Sequence, residues 1–238
     1  MANDFTEDAT CKALWRWESA TLMEDGKGSN DLTNDGVVAD NDPKKEGGHS
    51  AYFDPTGGGT GGGARAYCTD ANLDADFPCK SGGGGGWNFT FVDWFRLDTL
   101  PSSGQESVIV AKLAASNLQW KITAKNDGVD TSIEFAVSNN GSSWTASLKH
   151  ASALAVDTWY HLYVTFNETT KAAYIQIWDD TAEDILGVDA YTTLGTGTYN
   201  GTGILYFSYT DAASLLDGYQ DESLFFNTSL SQDRKSVV

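Results

Sequence analysis

The feature that most constrains this chain is a period of two. Short runs in which apolar and polar residues alternate are separated by turn residues, and amphipathic helices are nearly absent. Alternation sends successive side chains to opposite faces of an extended strand. Many such runs, closely spaced and punctuated by turns, predict an all-β sandwich or barrel. Residues 132–138 are the cleanest case: Ile133, Phe135 and Val137 are expected to face in, Glu134 and Ala136 to face out. An Asn-Gly turn at 139–142 follows, where positive φ is tolerated, and 144–148 returns. Residues 158–178 read as a hairpin. Tyr160, Leu162, Val164 and Phe166 form one apolar face that Ala173, Ile175 and Ile177 continue across the turn at 167–171. Further strands are expected at 88–97, 107–112, 118–124, 203–209 and 220–227.

The chain has 238 residues, enough for a sizeable core without disulfide support. The glycine tracts at 57–63 and 82–86 enclose a segment too short to be a domain, so residues 1–238 read as one domain with glycine-rich loops. Lys and Arg total 15 against 33 Asp and Glu, a formal net charge of −18. That excludes general nucleic-acid binding, which needs a basic face, and adsorption to anionic membranes. No run approaches the length of a membrane span, so membrane insertion is not expected, and the first residues lack the pattern of a signal peptide. With 40% hydrophobic and 12% aromatic residues the acidity coats a folded body. Cys11, Cys68 and Cys79 include no CxxC pair; they read as three thiols, a Cys68–Cys79 bridge remaining the alternative. Five sequons, at Asn88, Asn140, Asn167, Asn200 and Asn227, read as accidents of composition.

Three segments resemble the laminin G-like jelly-roll family of the concanavalin A-like lectin/glucanase group. The first is Ala13-Leu-Trp-Arg-Trp-Glu18 with the loop Met23-Glu-Asp-Gly-Lys-Gly-Ser-Asn-Asp-Leu-Thr33. The second is Asp157-Thr-Trp-Tyr-His-Leu-Tyr-Val-Thr-Phe166. The third is Leu216-Asp-Gly-Tyr-Gln-Asp-Glu-Ser-Leu-Phe-Phe-Asn227, followed by Leu230-Ser231. Gln220 departs from the apolar residue usual there. The resemblance implies two packed antiparallel sheets with the first and last strands side by side. It also implies a structural calcium ion bound by Asp25 and Asp221, with Asn30 and Glu18 as further ligands. Oxygen ligands of these kinds suit calcium. The bland alternative is that Asp25 and Asn30 are turn residues. Asp40, Asp42, Asp74 and Asp76 read as solvated loop carboxylates.

Catalysis has little support. The related glucanases carry Glu-x-Asp-x-x-Glu on one strand, and no Glu-x-Asp occurs here. There is no Gly-x-Ser-x-Gly elbow, and His161 reads as a packed structural residue. Sugar binding has more: aromatic rings stack on pyranose faces while amides and carboxylates take the hydroxyls. Tyr174, Gln176 and Trp178 alternate onto one strand face, and Trp144 stands beside the Asn-Gly turn. The alternative is that these aromatics complete the core or cover a sheet. The leading expectation is a non-catalytic adhesion module for a cell-surface or matrix glycan, with one calcium ion. Its rival is a structural decoration protein with protein partners on a larger assembly, such as a phage capsid or tail; a glycoside hydrolase comes third. The first two readings place the chain outside cells or on a virion surface.

Overall fold

The computed structural model describes residues 5–60, 62–84, 86–209 and 214–230. The strands, in chain order, are β1 (Cys11–Trp15), β2 (Thr33–Asp35), β3 (Val38–Asp40), β4 (Ser50–Phe53), β5 (Arg65–Cys68), β6 (Phe89–Leu97), β7 (Glu106–Leu113) and β8 (Trp120–Asn126). Then follow β9 (Thr131–Val137), β10 (Ala146–Lys149), β11 (Trp159–Asn167), β12 (Ala172–Asp179), β13 (Asp184–Ile185), β14 (Ala190–Thr193), β15 (Ile204–Phe207) and β16 (Gly218–Phe226).

They form two antiparallel sheets of a jelly-roll sandwich. The first runs β13-β12-β11-β6-β16-β4-β3, with β1 also on β16 and β14 also on β12; the second runs β10-β9-β8-β7-β15-β5-β2. The inward faces of the strands that alternate in the sequence behave as expected, but the outward side of β9 does not, since Glu134 and Ala136 are buried as well. Ile133, Phe135, Val137, Leu162, Val164, Ile175 and Ile177 are fully buried between the sheets. The centre of the sandwich is aromatic. Phe207 receives the edges of Trp15 and Trp17 at 5.3 and 5.2 Å, and Phe225 lies 4.8 Å from Phe91. Edge-to-face pairs of this kind add about 0.5–1.5 kcal/mol beyond the area they bury.

The first and last strands meet as expected. β1 pairs with β16 from Cys11↔Phe226 to Trp15↔Ser223. Along the same edge of β16, Gly218, Tyr219 and Gln220 pair instead with β4. The change of partner falls at Asp221 and Glu222, where the register with β6 shifts and Glu222 takes φ +49°. A bulge here re-aims side chains. Gln220, apolar in the family pattern, is buried and donates to the Ile109 carbonyl across the sandwich at 2.8 Å. The cysteines are all free and buried, so no bridge joins Cys68 to Cys79. Of the sequence signals, Ser231 lies outside the described residues.

Candidate functional site

The outer face of the first sheet carries an aromatic stripe along β12. Ala173, Ile175 and Ile177 point into the core, so Tyr174, Gln176 and Trp178 share the opposite face. β14 adds a residue that the sequence reading did not single out: Tyr191 pairs directly with Tyr174 and is 67% exposed. From Tyr174 to Trp178 is four residues of strand, about 13 Å. A groove of about 430 Å³ opens over Thr165, Ala172, Tyr174, Tyr191, Ser229 and Leu230. It holds alkyl, hydroxyl and phenolic groups.

Asp189 organises this stripe. The Tyr174 hydroxyl donates to its Oδ2, and Gln176 Nε2 donates to Oδ1 and Oδ2 at 3.1 and 3.0 Å. Tyr163, under Tyr174 at 6.2 Å, donates its hydroxyl to the Leu230 carbonyl at 2.8 Å and anchors one wall. The rings of Tyr174 and Tyr163 are therefore held before any ligand arrives. Further along, His161 pairs with Trp178 on one side and Trp94 on the other, with its ring 4.7 Å from that of Trp94. Lys45 covers Trp94 at 4.5 Å and pairs with Asp180. Burial and the Lys45 charge push His161 down to about 4, and its Nε2 has no hydrogen-bond partner. Its role is packing, as its place in the Trp-Tyr-His strand suggested.

Trp144 lies elsewhere. It precedes β10 on the outer face of the second sheet and packs on Val108, Ala111 and Leu113. It lines a smaller groove of about 240 Å³ with Lys121, Lys125, Glu134, Thr145 and Ser147. The expected tight hairpin turn is a longer loop, in which Asn140 Oδ1 accepts from the Ser142 and Ser143 amides at 2.9 and 3.0 Å and Gly141 takes φ +74°.

The four expected calcium ligands fall into two separate networks. Asp25 Oδ1 accepts from the Leu14 and Lys27 amides, and Oδ2 from the Asn30 amide and side chain, at 2.8–3.1 Å. Asn30 Oδ1 accepts from the Asp74 amide. Asp25 and Asn30 thus behave as the turn-building residues of the bland alternative, with their oxygens engaged. Asp74 is part of the same knot rather than solvated: it accepts from the Ser29 amide at 2.9 Å and from Asn30 Nδ2 at 3.1 Å. Burial pushes Asp74 up, but these bonds outweigh it and hold it below its usual range. Asp76 pairs with Lys12.

Glu18 and Asp221 meet the loop before β4 instead. Glu18 Oε1 accepts from the Gly48 amide, and Asp221 Oδ2 from the Lys45 and Glu46 amides, at 2.8–2.9 Å. The knot around Asp25 hangs from Leu14, which pairs with Leu224. That is three positions along β16 from Asp221, about 10 Å. Asp221 is fully buried, and its Oδ1 has no partner. Burial, then the like charges of Glu222 and Glu18, push Asp221 up to about 7; burial does the same to Glu222 despite Arg16. Among the described residues no group of three or more His, Cys, Asp or Glu side chains is arranged to hold a metal ion. Nor is any helix among them long and apolar enough to cross a membrane.

No family model and no curated protein sequence matches the chain. Solved structures do. The binding domain of botulinum neurotoxin serotype C1 superposes with a TM-score of 0.62 at 14% identity, over 99% of this chain and 53% of the toxin domain. Domain 4 of AbnA, an extracellular arabinanase from Geobacillus stearothermophilus solved with arabinotriose, gives 0.59 at 12% identity over 96% and 97% of the two chains. A botulinum neurotoxin type C structure, whose cell entry depends on two ganglioside molecules, gives 0.61 at 13% over 96% and 51%. These likenesses establish the fold. The chain spans about half the length of the toxin structures and nearly all of the arabinanase domain.

Proposed function

We propose that this protein is a non-catalytic glycan-binding module whose principal site is the Tyr174–Tyr191 groove. The carrying observation is a pair of cross-strand tyrosines, one of them 67% exposed, held beside the Gln176–Asp189 network on a rigid sheet. Two aromatic planes offer stacking surfaces, and Gln176 and Asp189 offer hydrogen-bonding groups for hydroxyls. The domain solved with arabinotriose, matched over nearly all of its length, supports the reading.

Titration with arabinotriose, cellotetraose and xylotetraose, together with a glycan array, tests it. Binding weakened at least tenfold by Tyr191→Ala is the expected result. Absence of binding to any glycan, or binding indifferent to Tyr191 and Tyr174, would refute the site.

The calcium expectation narrows to Glu18 and Asp221, completed by main-chain oxygens and water. Its support is the unpartnered, buried Oδ1 of Asp221, which a cation would satisfy. With free calcium at about 100 times its dissociation constant, linkage gives about 2.7 kcal/mol, or a rise in thermal midpoint of roughly 5–10 °C for a chain this size. Chelation is expected to reverse that rise, and Asp221→Asn to abolish it. A midpoint indifferent to chelator rules the ion out.

A further inference from the structure

The Trp144 groove faces away from the site just proposed. β12 and β14 belong to the first sheet, whereas the groove rests on β8, β9 and β10 of the second. Inward side chains of β8 and β9, Ile122, Ala124, Ile133 and Phe135, fill the core, so Lys121, Lys125 and Glu134 lie on the opposite side of the sheet, Lys125 open and Lys121 and Glu134 largely buried at the base of the groove.

The groove has the construction of a sugar site. Trp144 is half-buried and packs against the cluster of Val108, Ala111 and Leu113, which limits the freedom of its ring before a ligand arrives. Lys121 Nζ lies over the ring at 5.0 Å and pairs with Glu106. Lys125 pairs with Glu134 at 2.5 Å. An ammonium beside a carboxylate offers a donor and an acceptor together, which is what adjacent hydroxyls require. The positive charges are balanced locally, so the groove matches a neutral sugar better than an anionic one. Thr145 and Ser147 add hydroxyls along one wall.

We infer that the Trp144 groove is a second binding site, for neutral pyranose oligosaccharides, so that a single chain bridges two glycans from opposite faces of the sandwich. This rests on the glycan-binding reading above and extends it. Linking two sites in one rigid body raises avidity on a multivalent surface without new contacts, provided both can engage.

The test follows indole Nε1–H signals by NMR during titration with cellotetraose and xylotetraose. The Trp144 signal is expected to move, with a midpoint separate from that of Trp178 on the first sheet. Ser147→Tyr, an exposed change that fills the groove, should abolish the Trp144 response and leave that of Trp178; Tyr191→Ala should do the reverse. Beads bearing the bound oligosaccharide should be cross-linked by the native chain and by neither variant. Movement of Trp178 alone, or a Trp144 response surviving Ser147→Tyr, overturns the second site while the first stands. A silent Trp144 overturns the second site, and the first falls with it only if calorimetry also detects no binding of either oligosaccharide.

Discussion

At the scale of single residues, His161 shows how burial translates into pH dependence. Its ordinary value of 6.5 falls to about 4 because the imidazole is packed on Trp94 beside Lys45. The folded state therefore holds it neutral, while the unfolded chain takes up a proton below about 6.5. Stability contributed by neutral His161 is complete above that value and is lost as pH falls towards 4, by at most about 3 kcal/mol. His161→Phe keeps a ring against Trp94 and removes the titration. The difference in unfolding free energy between native and variant chains should swing in favour of the variant between pH 6.5 and 4. A difference independent of pH would show that His161 titrates normally. None of this is legible in the sequence, because the Lys45 charge comes from a loop over a hundred residues away. Asp25 and Asn30 teach the converse. Their types and spacing suit calcium and suit a turn equally, and the amides of Leu14, Lys27 and Asn30 supply the hydrogen bonds of the turn.

At the scale of elements, alternation made the long strands legible. Phe89–Leu97, Thr131–Val137, Trp159–Asn167 and Ala172–Asp179 lie within two residues of their expected bounds. The short strands β2 to β5, β13 and β14 escaped, since two to four residues carry too little periodicity to stand above a loop. Tyr191 was lost with them. Ala190-Tyr-Thr-Thr193, with its aromatic and β-branched residues, is the signal that would have found it. Partner choice was legible only through family resemblance: the pairing of β1 with β16 joins residues more than two hundred positions apart. At the opposite end of β16, Gly218 makes the sheet close. Its φ is +153°, and a β-carbon there would stand 2.1 Å from the Arg96 carbonyl oxygen. Gly218→Ala is expected to cost about 3 kcal/mol or more, by steric conflict that β6 cannot relieve without losing its own pairing. Chemical denaturation would measure it; a loss under 1 kcal/mol would mean that the ladder at Leu97 yields freely.

At the scale of the whole molecule, charge acts on which of the proposed glycan ligands can approach. The chain carries a formal charge of −18, and ion pairs such as Lys45–Asp180, Lys121–Glu106 and Lys125–Glu134 occupy lysines beside both sheet faces. An anionic sugar therefore meets a repulsive field at long range and few unneutralised cations on arrival. Neutral oligosaccharides feel neither. The field is screened within about 10 Å at 0.1 M salt and about 3 Å at 1 M. Sialylated or sulfated glycans should consequently bind several-fold more weakly than their neutral counterparts at 0.05 M NaCl, through slower association. The gap should close towards 0.5 M, while affinity for the neutral forms stays level. Surface plasmon resonance on matched glycan pairs separates the rates. Stronger binding of the anionic partner at low salt would mean that a cationic subsite outweighs the field of the whole chain, and would move the search for the ligand towards Lys121 and Lys125.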